Sequence, residues 1–162
     1  MRPPDVKAQE TLQTVVFTLE HNEFGIDIGK VREIDRLIKV TRVPRVPPHV
    51  EGIINLRGQL VPVVDLRTRL GLSRATPTKA ARIIVAEIGT RSIGMIVDEV
   101  REVVRIPLDQ IDTSEGVLEG FASEHIGALG KIDGRLIILL NLENILGGVA
   151  EAQPRRADKE DA

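Results

Sequence analysis

The sequence predicts a mainly β protein: two small barrels made from one duplicated unit. Three observations carry this. The core-type residues are almost all Val, Ile and Leu, with three Phe, no Tyr and no Trp in 162 residues, and β-branched side chains suit a pleated surface. Short apolar runs recur with turn signals between them, a spacing that favours small barrels over a βαβ sheet. The chain also repeats itself. "FGIDIGKVREI" (24–34) matches "IGMIVDEVREV" (93–103), pairing Gly25 with Gly94, Val31 with Val100 and Arg32-Glu33 with Arg101-Glu102. "GQLVPVVDLRTRLG" (58–71) then matches "GRLIILLNLENILG" (134–147) in the same order. A unit of roughly 65 residues buries little surface alone, so the two are expected to pack together or share a strand.

Residues 1–13 lack a sustained pattern and are expected to be a flexible tail. The first barrel unit is expected over 14–72, opening with "TVVFTL" (14–19). In "EFGIDI" (23–28) Phe24, Ile26 and Ile28 alternate with Gly25 and Asp27, a half-buried strand. The period of two breaks between Val31 and Ile34, which predicts a bulge. Val43-Pro44 and Pro47-Pro48 mark a kinked connection. Pro62 has no N–H to give a ladder, so it is expected at an edge, an end or a bulge. Each unit closes with a short helix. Asp65 and Asn141 are the N-caps, Leu66/Leu70 and Leu142/Leu146 are i,i+4 pairs, and Gly71 and Gly147 suit the left-handed stop. "SRATPTKA" (73–80) reads as a linker, 81–148 as the second barrel unit, and 149–162 as a polar tail.

Composition excludes several functions. There is no cysteine, so there is no disulfide or thiolate metal site. The scarcity of aromatic rings argues against a carbohydrate or single-strand nucleic-acid binder that stacks its ligand. No apolar run approaches the ~18 residues of a membrane span, so a cytoplasmic protein with no direct membrane insertion is expected. The net charge of −2 hides an asymmetry. Residues 1–82 hold 14 Lys/Arg against 9 Asp/Glu, and residues 83–162 hold 8 against 15. The halves are suited to attract each other or to serve partners of opposite sign.

Catalytic patterns are missing. His21, His49 and His125 fall in loop-like contexts without the i,i+4 partner of a zinc helix. "GALGK" (127–131) is too short between its glycines for a phosphate loop, and Ile132 stands where the metal-binding hydroxyl belongs. No catalytic residue, metal or cofactor is therefore expected. Arg32, Arg36, Lys39, Arg42 and Arg45 suggest a phosphate-binding face, but Glu33 and Asp35 interrupt it. Charges that blunt an edge strand explain the segment better.

The most informative stretch is "VEGIINLRGQLVPVVDLRTRLG" (50–71). Asp133-Gly134 in the second unit is a good two-residue hairpin turn. The first unit has Arg57-Gly58 at that place. In a type I′ turn a residue such as arginine would sit in a left-handed conformation, at a cost of order 1 kcal/mol. In a type II turn only Gly58 would need positive φ. Either way the arginine is not there to make the turn. Its donor fork and flat face suit recognition.

"VFTLEHNEFGIDIGKVREI", "VEGIINLRGQLVPVVDLRTRLG" and "IGMIVDEVREVV" together resemble the CheW family of chemotaxis coupling proteins, over roughly 14–147. The resemblance implies two intertwined five-stranded SH3-like barrels around a common core, with short helices. It implies a non-enzymatic adaptor, a monomer when free, that couples chemoreceptors to the histidine kinase CheA at the inner membrane face. By motif position, the contact with the kinase regulatory domain would fall on Val31, Glu33, Arg57 and Gly58. The contact with the cytoplasmic hairpin tip of a chemoreceptor would fall on Arg57, Gly94, Val100 and Val103. The reading from another class is an SH3-like barrel whose basic face binds nucleic acid or another regulatory partner.

Overall fold

A computed structural model of the chain describes residues 10–113 and 125–146. The tail 149–162, most of the tail 1–13, and the helix stop at Gly147 lie outside the described residues. Eleven strands are present among the described residues: β1 Thr11–Leu19, β2 Asn22–Asp27, β3 Val31–Arg36, β4 Val50–Leu56, β5 Gln59–Asp65, β6 Arg82–Ile88, β7 Arg91–Val97, β8 Glu99–Pro107, β9 Ile111–Asp112, β10 Ile126–Ile132 and β11 Arg135–Leu140. Pairing begins at Thr11, ahead of the expected start at residue 14.

The strands form two sheets, ordered β8-β1-β2-β11-β10-β9 and β3-β6-β7-β5-β4. The first is called sheet A below and the second sheet B. Neither is one sequence copy. The β1–β2 hairpin of the first copy sits between second-copy strands β8 and β11, and the β6–β7 hairpin of the second copy sits between β3 and β5. Apart from β9, the two orders correspond, with β8 equivalent to β3, β1 to β6, β2 to β7, β11 to β5 and β10 to β4. The boundaries 14–72 and 81–148 therefore describe copies along the chain, while each barrel takes strands from both.

The exchange depends on close packing. β2 pairs parallel with β11 at Phe24 and Gly25, and β7 pairs parallel with β5 from Gly94 onward. A Cβ on Gly25 would lie 3.0 Å from Ile137 Cγ2 and Leu139 Cδ2 of β11, and one on Gly94 would lie 3.4 Å from Val63 Cγ2 of β5. The repeated glycine thus lets neighbouring strands close on the exchanged hairpin. Pro62 lies just before the three β5 residues that pair with β7, at an end of that ladder as its missing N–H requires.

Apolar side chains collect in three clusters. Ile54, Leu56, Val61, Val63, Ile83 and Val85 fill the inside of sheet B. Val16, Ile106, Ala128, Ile137 and Leu139 fill the inside of sheet A. The third cluster takes Phe17, Phe24 and Ile26 from one sheet and Val64, Ile84 and Met95 from the other, with Leu66 and Leu142 from the short helices. Phe17 and Phe24 stack there with centroids 5.9 Å apart. This common core joins the barrels, as the family resemblance implied.

The helix Leu66–Arg69 is capped by Asp65, whose Oδ1 accepts from the Arg67 N–H at 3.2 Å. The equivalent helix spans 142–146, with Asn141 Oδ1 accepting from the Asn144 N–H at 3.1 Å. The two helices meet where Arg69 Nε donates to the Ile145 carbonyl at 3.0 Å. His49 and His125 are also duplicates: their carbonyls accept the N–H groups of Asp65 and Asn141 at 2.8 and 2.9 Å. His125 is buried, unlike the solvated loop residue its sequence context suggests.

Candidate functional site

Both hairpin turns are type I′. Arg57 and Gly58 have φ of 52° and 88°, and Asp133 and Gly134 have 51° and 78°. Arg57 therefore occupies the left-handed region that arginine disfavours. The turn is held by Asn55, whose Oδ1 accepts from the Gly58 N–H at 2.8 Å. Nothing lies near the position of a Gly58 Cβ, so that glycine serves backbone conformation rather than space.

Arg57 is the exposed tip of the hairpin, and its guanidinium donates to the Glu33 carboxylate on β3. This bridge holds Glu33 below the usual carboxylate range. Beside it, Arg32 donates to Gln59 Oε1 at 2.7 Å and to Ser92 Oγ at 2.9 Å. The tip of β4–β5 is thereby tied to edge strand β3 and to β7.

The predicted bulge is present: the register of β3 against β6 shifts between Val31 and Glu33. It separates two residues of the expected kinase set. Val31 lies opposite Ala86 and packs against the common core, whereas Glu33 lies opposite Val85, in the interior cluster of sheet B. The structure thus brings Glu33, Arg57 and Gly58 together and places Val31 on the other face of the strand. The same bulge recurs in the duplicate, between Val16 and Phe17 opposite β8.

The expected receptor set is spread over both sheets. Val100, opposite Phe17, is half-buried against the common core. Val103, opposite Val15, is 49% exposed. Gly94 is buried in β7, where its visible part is the close packing described above. Arg57 belongs to sheet B, whereas Val100 and Val103 belong to sheet A.

Each barrel carries the same exposed apolar pair: Ile34 (39%) and Leu60 (63%) on sheet B, Val103 and Leu136 (52%) on sheet A. Sequence reasoning took only Val103 of these four as a site residue. It also missed Arg135. This side chain grips Glu23 with Nε and Nη2, each at 3.0 Å, and reaches Glu102 at 2.7 Å. Both carboxylates reinforce its protonation, and its hydrogen bond holds Glu23 low. Glu102 is the duplicate of Glu33, so both barrels bridge hairpin to edge strand. One uses the turn residue and the other a residue two places later. Aligning Gly58-Gln59 with Gly134-Arg135 is the signal that would have revealed it.

Arg67 forms a second tie, donating from Nε and Nη2 to the Asp98 carboxylate at 2.9 and 2.6 Å. Asp98 Oδ2 also accepts from the Glu20 N–H at 3.0 Å. The helix is thus fastened to the turn between β7 and β8 and to the tip of β1–β2. Among the described residues no group of three or more His, Asp or Glu side chains converges as a metal site would. No described helix is long and apolar enough to cross a membrane.

Comparison with known proteins agrees with this architecture. The model of the CheW-like domain matches residues 13–150. The chain is 35% identical over 132 residues to the chemotaxis protein CheW of Klebsiella aerogenes, spanning 82% of this chain and 80% of that protein. It is 34% identical over 139 residues to that of Thermotoga maritima, spanning 86% and 90%. Among solved structures it is similar to the scaffolding protein TtCheW from Thermoanaerobacter tengcongensis. That match has a TM-score of 0.79 at 34% identity and covers 84% of this chain and 92% of that one.

Proposed function

The chain belongs to the CheW family of chemotaxis scaffold proteins, and on that premise we propose that it couples chemoreceptors to a CheA-type histidine kinase. The observation that carries this is the family match running through both barrels, 13–150, rather than through one of them. The adaptor contributes coupling, not chemistry. Once receptor and kinase both hold it, later contacts become effectively intramolecular. The kinase regulatory domain meets the Glu33–Arg57–Gly58 corner, with Val31 behind it in the core supporting the strand. The receptor hairpin tip meets sheet A on the side of Val103, with Val100 half-buried in the same strand, and Gly94 and Arg57 contribute from sheet B. The free protein is a cytoplasmic monomer and reaches the inner membrane face only through its partners.

The basic segment 36–45 lends the nucleic-acid reading little. It runs out of β3 into an irregular connection with a single bridge, Thr41 to Ile53, and its neighbours Glu33 and Asp35 are acidic. Co-sedimentation with receptor-bearing membranes and the kinase tests the proposal. The chain is expected in the pellet only when receptor is present, and the kinase only when both are. Absence of enrichment with either partner at low salt refutes coupling, and steep salt-dependent retention on an oligonucleotide would favour the other class.

A further inference from the structure

We propose that Asp35 is a positioning residue of the Glu33–Arg57 contact: a carboxyl group set inside barrel B that hydrogen-bonds Glu33 and orients it against the hairpin-tip arginine. The inference rests on the kinase-facing corner described above and adds to it a residue that no motif marked.

The placement follows from the bulge. Because the register shifts at Arg32, Glu33 and Asp35 lie opposite Val85 and Ile83, both in the interior cluster of sheet B. Two carboxyl groups thus share the apolar face of one edge strand, two residues apart, and each acts on the ionisation of the other. Asp35 Oδ2 is buried without a hydrogen-bond partner. The charged groups acting on Asp35 are Glu33 on its own strand and Arg57 on the β4–β5 turn, while β6 presents only Ile83 and Val85.

The duplicate barrel is an internal control. Edge strand β8 repeats the pattern as Glu102-Val103-Val104, and Val104 packs against the interior cluster of sheet A. The fold therefore asks for valine where Asp35 stands. Burying a carboxyl there opposes stability, and a function for it is the economical explanation.

Two neighbouring carboxyl groups disfavour ionising together, so one of them titrates above its ordinary range. Burial, and then the Glu33 charge, push Asp35 up from the ordinary aspartate value, while Arg57 first and Asp35 second hold Glu33 down. When one proton is held between them it sits on Asp35, whose O–H donates a hydrogen bond to Glu33 and leaves that carboxylate anionic toward Arg57. With the folded-state value raised, Asp35 favours folding below the ordinary aspartate range. That contribution is lost as pH rises through the raised value.

The test is a pH titration of the free full-length chain, following the carboxyl carbons of residues 33 and 35 and the Arg57 Nε–Hε resonance by NMR. Two inflections are expected, one below the usual glutamate range and one above the usual aspartate range, with Arg57 moving through the upper one. Asp35→Asn should abolish the upper inflection and keep the lower, because an amide still donates to Glu33. Asp35→Val should abolish the upper, raise the lower, and leave a folded protein, since the duplicate already carries valine there. Affinity for the kinase regulatory domain should fall about two- to fivefold through the upper inflection in the parent, the scale of one exposed charge interaction. It should be flat in both variants. An Asp35 that titrates in the ordinary range, an Arg57 resonance indifferent to it, or an unchanged pH profile in Asp35→Val overturns the inference. Absence of kinase binding at every pH instead counts against the coupling reading, while the free-chain titration still decides the role of Asp35.

Discussion

The two barrels share a backbone plan and differ in the polar corner that ties hairpin to edge strand. Both have the edge-strand bulge, the parallel pairing around a glycine, the type I′ hairpin and the capped short helix. In sheet B the hairpin-tip cation is Arg57, largely exposed and bridged to a single carboxylate. In sheet A the cation is Arg135, one strand position past the turn and held by two carboxylates. The tip arginine keeps most of its surface in solvent, whereas Arg135 is clamped between Glu23 and Glu102 and is more buried. The duplication repeats the scaffold but not the polar residues of this corner.

The largest expected effect tests whether the barrels stand or fall together. Phe17→Ala, in the common core, should cost about 3–5 kcal/mol and lower amide-exchange protection in both sheets. Ile54→Ala, inside sheet B alone, should cost about 2–5 kcal/mol with protection lost chiefly in sheet B. Urea unfolding and hydrogen exchange read both, and a Phe17→Ala effect confined to sheet A would show that the core does not unite the barrels.

A smaller effect asks how alike the two exchanged hairpins are. Gly25→Ala meets a Cγ2 at 2.5 Å and two more side-chain carbons at 3.0 Å, whereas Gly94→Ala meets its nearest at 3.0 Å. The first should cost about 2–3 kcal/mol and the second under about 1 kcal/mol, because alanine recovers some chain entropy where the overlap is mild. Equal losses in thermal unfolding would mean that the neighbours of Gly25 yield as easily as those of Gly94.

The smallest effect on stability sharpens the contrast at the tips. Arg57→Gly should weaken kinase-domain binding roughly five- to hundredfold, the range of an interface hot spot, with the melting temperature unchanged or slightly raised as the left-handed strain goes. Asp133→Gly should leave binding unchanged and stability within about 0.5 kcal/mol. Calorimetric titration beside thermal melts separates the outcomes. A melting temperature that collapses in Arg57→Gly would make this arginine a structural residue like Arg135.

The sequence by itself determined the β class, the duplication, the helix caps at Asp65 and Asn141, the bulge after Val31 and the oddity of Arg57. Each of these is written in local spacing, because period, cap and turn chemistry act over a few residues. Only the tertiary structure decided that β1–β2 and β6–β7 change barrels, since strand pairing across tens of residues leaves no mark in local periodicity. The bulge was legible, but its consequence was not. It parts Val31 from Glu33 and turns Asp35 inward, and those directions exist only once β3 lies against β6. Arg135 escaped for the same reason: its carboxylates, Glu23 and Glu102, come from two other strands. Charges meet there because the folded sheet brings β2, β8 and β11 within hydrogen-bond reach of one another.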